Sequence, residues 1–251
     1  MGKVIITGAS GSIGRVVTKE MLLRGHDVVM ACRNLDKARK VLDTIARQIL
    51  REDPDGAVGL ASRVEILRLD LEDSTSIRSF VDSLKGCDVS ALFNNAGMIN
   101  KEFELNSDGV ERTMAVNFIG PKMLTELLLP QLEDGAHVVS MVSLASRFGR
   151  SDRARFSQIG AYADSKLALL RWAADFGTSN PQFRVNVCDP GIVNSNIIRL
   201  DRWFDPLTDI FFRPFISSPE KGARSALRAL TEYVTMRWFT PRRVLDLNDW
   251  R

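Results

Sequence analysis

Tyr162 and Lys166 stand four residues apart in the stretch GAYADSKLALL, Gly160–Leu170. On a helix, residues i and i+4 lie over the same turn, so this spacing stacks a phenol and an ammonium on one face. A phenol is a poor acid at neutral pH, with an ordinary pKa of about 10. A fixed ammonium beside it favours the phenolate, which lets the tyrosine exchange a proton with an alcohol or carbonyl oxygen. The pair alone is a weak signal. A surface lysine one turn after a half-buried tyrosine would read the same, and the rest of the chain has to decide between them.

The elements that would position such a pair begin at the amino end. Lys3–Thr7 (KVIIT) is a short β-branched run, followed by Gly8-Ala9-Ser10-Gly11-Ser12-Ile13-Gly14 and an apolar helical pattern to Leu23. Strand, glycine-rich turn and helix in that order make a phosphate-binding unit. The glycines allow a sharp turn and close approach of the backbone, and the helix start offers free N–H groups with a positive dipole end. Asp27–Ala31 reads as the second strand and runs into Cys32-Arg33-Asn34. A carboxylate at that strand end would suit the ribose 2′-hydroxyl of NAD, whereas Arg33 suits the 2′-phosphate of NADP(H). A solvated arginine in a loop is the plain alternative.

Leu35–Arg51 has the pattern of an amphipathic helix, with Leu35, Ala38, Leu42, Ile45 and Ile49 inward. Asp53–Ala61 reads as a loop and Val64–Leu69 as the third strand, with Asp70 and Leu71 at the carboxyl end where ligands gather in open α/β sheets. Ser74–Leu84 is the next predicted helix, with Ser74 or Thr75 as cap. Ala91–Phe93 runs into Asn94-Asn95-Ala96-Gly97, whose two amides can fix neighbouring loops. Asp108–Gln131 carries a long helical pattern containing Asn117, kinked at Pro121. Strands at His137–Val142 and Arg184–Cys188 end at Ser143 and at Asp189-Pro190-Gly191; Glu220–Tyr233 is an amphipathic helix, and Trp238 and Phe239 mark a last short strand. Strands alternating with helices predict a single α/β domain, a Rossmann-type doubly wound parallel sheet with helices on both faces.

Composition narrows the function classes. The chain has 251 residues, 45% hydrophobic and 26% charged, ordinary for a globular domain. Its net charge of +3 is too small to argue for nucleic acid or an anionic membrane as a partner. Cys32, Cys87 and Cys188 lack metal-ligand spacing, which predicts plain thiols, no metal and a reduced, cytoplasmic setting. The apolar run from Lys3 ends at Gly8, too short for a signal-peptide core or a membrane span.

Taken together, TGASGSIG (Thr7–Gly14), NNAG (Asn94–Gly97), Ser143, YADSK (Tyr162–Lys166) and PGIVNS (Pro190–Ser195) resemble the short-chain dehydrogenase/reductase family over nearly the whole chain. MACRN at Met30–Asn34, AVNFIGPKMLTELLLP, VSLAS at Val142–Ser146 and SQIGAYADSKLALL resemble its retinol dehydrogenase-like branch. The resemblance implies roles residue by residue. Tyr162 would be the acid/base. Lys166 would lower its pKa and bind the nicotinamide ribose, Ser143 would bond the substrate oxygen, and Asn117 would hold a water of the proton relay. The cofactor NADP(H) would meet Gly8, Ser10, Gly11, Ser12, Ile13 and Gly14 at its phosphates and Arg33 at its 2′-phosphate. Asp70, Leu71, Asn94, Ala96 and Gly97 would surround adenosine, and Pro190, Gly191, Val193 and Ser195 the nicotinamide. Two departures stand out. Ser12 occupies the middle glycine position of the family's common TGxxxGxG loop, so that the spacing matches TGxxGxxG instead, and a second basic residue often seen in the loop is absent.

On the substrate side, Leu200–Ser217 holds Trp203, Phe204, Phe211, Phe212 and Phe215 among charges and prolines. It reads as packing, as a lid over a long apolar substrate, or as a peripheral membrane contact. Asp246–Arg251 is too brief to add much substrate wall. The expected activity is interconversion of a carbonyl and an alcohol on a lipophilic small molecule, with retinoid, steroid and fatty aldehyde or ketone all open. The rivals are an NADP(H)-sensing protein without catalysis, against which the intact Tyr162 and Lys166 count, and a double-bond reductase on the same scaffold. Relatives often pair through helices that here would be Asp108–Gln131 and Gly160–Gly177, which leaves a homodimer open.

Overall fold

A computed structural model of the protein describes residues 2–152, 155–191 and 218–250. Val193, Ser195 and the 200–217 segment lie outside the described residues. The strands are β1 (Lys3–Thr7), β2 (Val28–Cys32), β3 (Val64–Arg68), β4 (Val89–Asn94), β5 (Leu132–Met141), β6 (Arg184–Cys188), β7 (Arg237–Phe239) and β8 (Val244–Asp246). They form one sheet in the order β3-β2-β1-β4-β5-β6-β7-β8. All neighbours pair in parallel except β7 and β8, which close the edge as an antiparallel hairpin. The order reverses between β1 and β4, and the crevice outside their carboxyl ends is where such sheets bind ligands.

The helices are α1 (Ser12–Leu23), α2 (Leu35–Glu52), α3 (Ser74–Ser83), α4 (Gly120–Leu128), α5 (Gln158–Ser179) and α6 (Pro219–Thr231). Alternation along β1 explains why both faces must be covered: Val4 and Ile6 pack with α1, α2 and α6, while Ile5 packs with α3, α4 and α5. Every residue of β2 is buried, as expected of a parallel strand between two helix layers.

Most boundaries predicted from the sequence shift by only a few residues. The cap of α3 is Asp73, whose carboxylate accepts the Thr75 N–H at 2.9 Å, in place of the expected Ser74 or Thr75. The helical pattern predicted from Asp108 starts at Arg112, because Gly109 turns with φ +75° and the Glu111 carboxylate caps Thr113 and Met114. The irregularity expected at Pro121 is a π-helical stretch, Ala115–Ile119, leading into α4. Proline has no N–H to close an α-type bond onto the carbonyl of Asn117. The β8 strand had no sequence signal, being three residues long and shaped by the turn in which Thr240 bonds Arg243.

Candidate active site

The turn after β1 is a backbone cradle. Gly8 has φ +63°, and a Cβ there would come within 3.0 Å of the Ala96 Cα. At Gly14 a Cβ would sit 2.4 Å from the Gly8 carbonyl oxygen, a backbone clash that no side-chain movement relieves. The start of α1 has neither a side-chain cap nor an acidic residue in its first turn, so its N–H groups are free to face an anion. The cradle is held by residues of β1 and of the loop after β4. Thr7 Oγ1 accepts the N–H groups of Asn95 and Ala96, both at 3.0 Å. The Asn95 amide donates to the carbonyls of Thr7 at 2.8 Å and Gly8 at 3.2 Å.

Asn95→Ala removes the donor to both carbonyls in a half-buried setting. It is expected to cost about 1–3 kcal/mol of stability, measured by urea denaturation, because their desolvation is no longer offset. A variant as stable as the parent would show that the amide does not hold the loop.

A second cluster lies at the carboxyl ends of β5 and β6 against α5. Lys166 is 3% exposed and its Nζ donates to the Met141 carbonyl at 2.7 Å. The ammonium stands 5.9 Å from the centre of the Tyr162 ring. Burial lowers the Lys166 pKa to about 8, against the opposing pull of Cys188 and Asp189. Burial pushes the Tyr162 phenol up, the hydrogen bond with Ser143 pulls it down, and the charge of Asp189 pushes it further up. The expected lowering of this phenol by Lys166 is therefore not the outcome: the lysine is turned to a carbonyl, and desolvation dominates. Ser143 Oγ accepts the Ala145 N–H at 3.2 Å, which leaves its own proton to donate.

Asn117 is fully buried, and its side chain is committed to structure. Its Oδ1 accepts the Met98 N–H at 2.8 Å, and its Nδ2 donates to the Met98 carbonyl at 2.9 Å and to Ser165 Oγ at 3.0 Å. Ser165 in turn donates to the Tyr162 carbonyl at 2.8 Å. The amide thus ties the loop after β4 to α5. Gly97 lets that loop pass close, since a Cβ there would lie 3.3 Å from Asn117 Oδ1 and 3.5 Å from Lys166 Nζ.

A family model described as short chain dehydrogenase matches residues 2–202. Retinol dehydrogenase 11 of Mus musculus is 34% identical over 248 residues, covering 92% of this chain and 74% of that protein. The chain belongs to the short-chain dehydrogenase family. Polyprenol dehydrogenase of Mus musculus is 30% identical over 238 residues, covering 87% of this chain and 68% of that one. A solved structure of an uncharacterised protein from Mycobacterium Paratuberculosis aligns with a TM-score of 0.75 at 29% identity, over 98% of this chain and 84% of that one.

As a short-chain dehydrogenase the protein is an oxidoreductase of alcohol and carbonyl groups that uses a nicotinamide dinucleotide. The cradle fits such a group: Gly8, Gly11 and Gly14 keep Cβ atoms out of it, and Ser12 at the start of α1 leaves the turn intact. Ser10 bonds the Cys32 thiol, and Ile13 is buried in the first turn of α1. Arg33 is exposed after β2, 3.9 Å from Glu72. Asp70 Oδ1 accepts the Glu72 N–H at 3.2 Å, and Leu71 is buried beside Gly120. Asn94 is buried, and its amide turns away to Thr125 Oγ1 at 3.0 Å. Ala96 and Gly97 line the crevice side of the loop, touching Gly8 and the Asn117–Lys166 pair. Pro190 and Gly191 follow β6, with Gly191 at φ +71°.

Sequence reasoning passed over Thr7, Asn95 and Asp189 as site residues. The signal for Asp189 was available, since the strand-end rule that selected Asp70 applies equally to the carboxylate after β6. On the outer side of α5 a cavity of about 750 Å³ is lined by Ser146, Arg147, Leu167, Leu170, Trp238 and Asp249. The carboxyl-terminal turn therefore contributes a wall, although a different one from that considered in the sequence. Among the described residues no helix is long and apolar enough to cross a membrane.

Proposed function

We propose that the protein interconverts a carbonyl and an alcohol on a lipophilic small molecule, with NADP(H) as cofactor and Tyr162 as acid/base. The observation that carries this reading is the meeting of Tyr162 with Ser143 beside the buried Lys166, at the strand ends next to the glycine cradle. In carbonyl reduction the Tyr162 phenol gives its proton to the substrate oxygen, and Ser143 donates a hydrogen bond to the same oxygen. The nicotinamide supplies the hydride when bound. Lys166 reprotonates the phenol and would hold the nicotinamide ribose. The main-chain carbonyl of Asn117, freed by Pro121 from an α-type bond, would hold the water behind Lys166. Gly8, Ser10, Gly11, Ser12, Ile13 and Gly14 would take the phosphates. Asp70, Leu71, Ala96 and Gly97 would surround adenosine, with Asn94 acting through its backbone. Pro190, Gly191, Val193 and Ser195 would meet the nicotinamide.

The lipophilic substrate is supported by exposed apolar groups in the loops after β4 and β5. Leu144, Phe148 and Phe103 are 47%, 78% and 61% exposed, and Phe103 meets the Phe156 ring edge-on at 5.8 Å. The names of the two relatives point to long isoprenoid alcohols as the first substrates to try. Turnover against aldehydes and ketones graded in chain length is expected to rise along the apolar series, and no turnover on any of them would sink the reading.

Arg33 supports NADP(H), because an exposed guanidinium beyond β2, only loosely paired with Glu72 at 3.9 Å, can donate to a 2′-phosphate. Arg33→Ala is expected to weaken NADPH binding about 10- to 100-fold, the worth of one charged hydrogen-bond pair, and to leave NADH binding nearly unchanged. Fluorescence titration with both nucleotides checks this; an equal loss for the two would make Arg33 a structural residue.

A further inference from the structure

Arg33 does not stand alone beyond β2. Cys32 and Arg68 are register partners at the ends of β2 and β3, and the loop after β3 brings Glu72 beside Arg33. Glu72 is fixed through its backbone: its N–H donates to Asp70 Oδ1 at 3.2 Å, and its carbonyl accepts Asn106 Nδ2 at 2.7 Å. Its side chain is only 17% exposed and takes two bonds from Arg112, Nε to Oε1 at 2.5 Å and Nη2 to Oε2 at 3.1 Å. Arg112 Nη1 donates to Glu104 Oε2 at 2.5 Å, and Asn100 Nδ2 donates to the same oxygen at 2.9 Å. Arg33 Nη1 lies 3.9 Å from Glu72 Oε2, beyond hydrogen-bond reach, and its side chain is 62% exposed.

Two arginines therefore face one carboxylate, and they are held differently. Each nitrogen of Arg112 donates to a carboxylate, so its charge is spent inside the cluster. Its bidentate pairing with Glu72 is the strong form of such a contact and occupies both oxygens. Arg33 keeps only a loose attraction to the same group, and of the two arginines it is the one left for a ligand. An anion that accepts from Arg33 must settle close to Glu72. The Glu72 charge would repel that anion and draw Arg33 away from it, and Arg112 offsets the charge.

We propose that Arg112 is a positioning residue for cofactor choice: by pairing with Glu72 it leaves Arg33 free for the 2′-phosphate, and the Glu72–Arg112 pair thereby sets the preference for NADP(H) over NAD(H). The inference rests on the reading of Arg33 as the 2′-phosphate contact and adds what controls it. The charges of the cluster then order the affinities. Without Arg112, the Glu72 carboxylate closes on Arg33 and faces the incoming phosphate. Without the Glu72 charge, the phosphate has no competitor for Arg33. NAD(H), which carries a hydroxyl in place of that phosphate, responds weakly to either change.

Adenosine 2′,5′-bisphosphate and adenosine 5′-monophosphate differ by that one phosphate, so calorimetric titration with both reads the contact without any turnover. Arg112→Gln is expected to weaken bisphosphate binding about tenfold and to leave the monophosphate within about twofold, as one added net charge near the phosphate would. Glu72→Gln should tighten the bisphosphate by about 3- to 10-fold, again with little effect on the monophosphate. The double variant, in which both charges are gone, should bind close to the parent. Arg112→Gln strands a half-buried carboxylate; if it does not fold, Glu72→Gln and the double variant still decide. An equal loss for the two nucleotides, or a Glu72→Gln variant that binds the bisphosphate no better than the parent, overturns the proposal and leaves the cluster as a tie between the loops after β3 and β4. If Arg33→Ala keeps the parent's ratio of the two affinities, the 2′-phosphate reading itself fails. If Arg33→Ala loses the bisphosphate alone while the Glu72 and Arg112 variants bind like the parent, only this inference fails.

Discussion

Tyr162→Phe is expected to lower kcat for carbonyl reduction by about 10²- to 10⁴-fold, the range over which a positioned general acid acts. NADPH affinity should stay within a few-fold of the parent, because in the proposed role the phenol would face the substrate oxygen, while the cradle is built by β1, α1 and the loop after β4. Stability should fall by only about 1 kcal/mol, the worth of the hydrogen bond with Ser143. Steady-state kinetics, nucleotide titration and urea denaturation on one preparation separate the three quantities. Retained binding with lost turnover supports an enzyme. Retained turnover would leave Tyr162 without its role and move weight to a nucleotide sensor or to double-bond reduction. In the parent enzyme the raised phenol pKa gives a further sign: reduction should stay flat through neutral pH, and oxidation should climb as pH approaches the phenol's titration.

The fold was legible because strand, glycine turn and helix are local patterns. Lys3–Thr7 and Arg184–Cys188 fall where β-branched runs place them, and the inward residues Ala38, Ile45 and Ile49 of α2 follow from period alone. What the sequence hid was decided by hydrogen bonds between distant segments. Nothing local tells that Asn95, rather than Asn94, grips the glycine turn, since both amides are adjacent and only the pleat at the end of β4 turns one to Thr7 and the other to Thr125. Nothing local tells that Asn117 spends its side chain on Met98, a residue of another loop. The relation between Tyr162 and Lys166 was read correctly as one face and incorrectly as one charge field. Period places the pair together, but burial, which period does not report, turns the ammonium to Met141 and raises the phenol.

The same burial predicts that Lys166→Met removes activity and adds stability. Lys166 titrates at about 8 in the folded chain and near 10.5 when exposed, so the folded state binds fewer protons between those values. Stability of the parent therefore rises with pH across that window, and below pH 8 the whole cost of burying the ammonium is felt. A shift of this size corresponds to about 3 kcal/mol as a ceiling. Lys166→Met, similar in length and uncharged, escapes that cost but gives up the bond to the Met141 carbonyl, so a net gain of about 1–2 kcal/mol at pH 7 is expected. The gain should shrink as pH rises from 8 to 10, since only the parent carries an ammonium that relaxes there. Urea denaturation at pH 7 and pH 10 measures the difference. A parent more stable than the variant at pH 7, or a gap that ignores pH, would mean that Lys166 is not buried as a charge. A more stable and inactive variant would mean that the fold tolerates this ammonium against its own stability because the proton relay needs it at Tyr162.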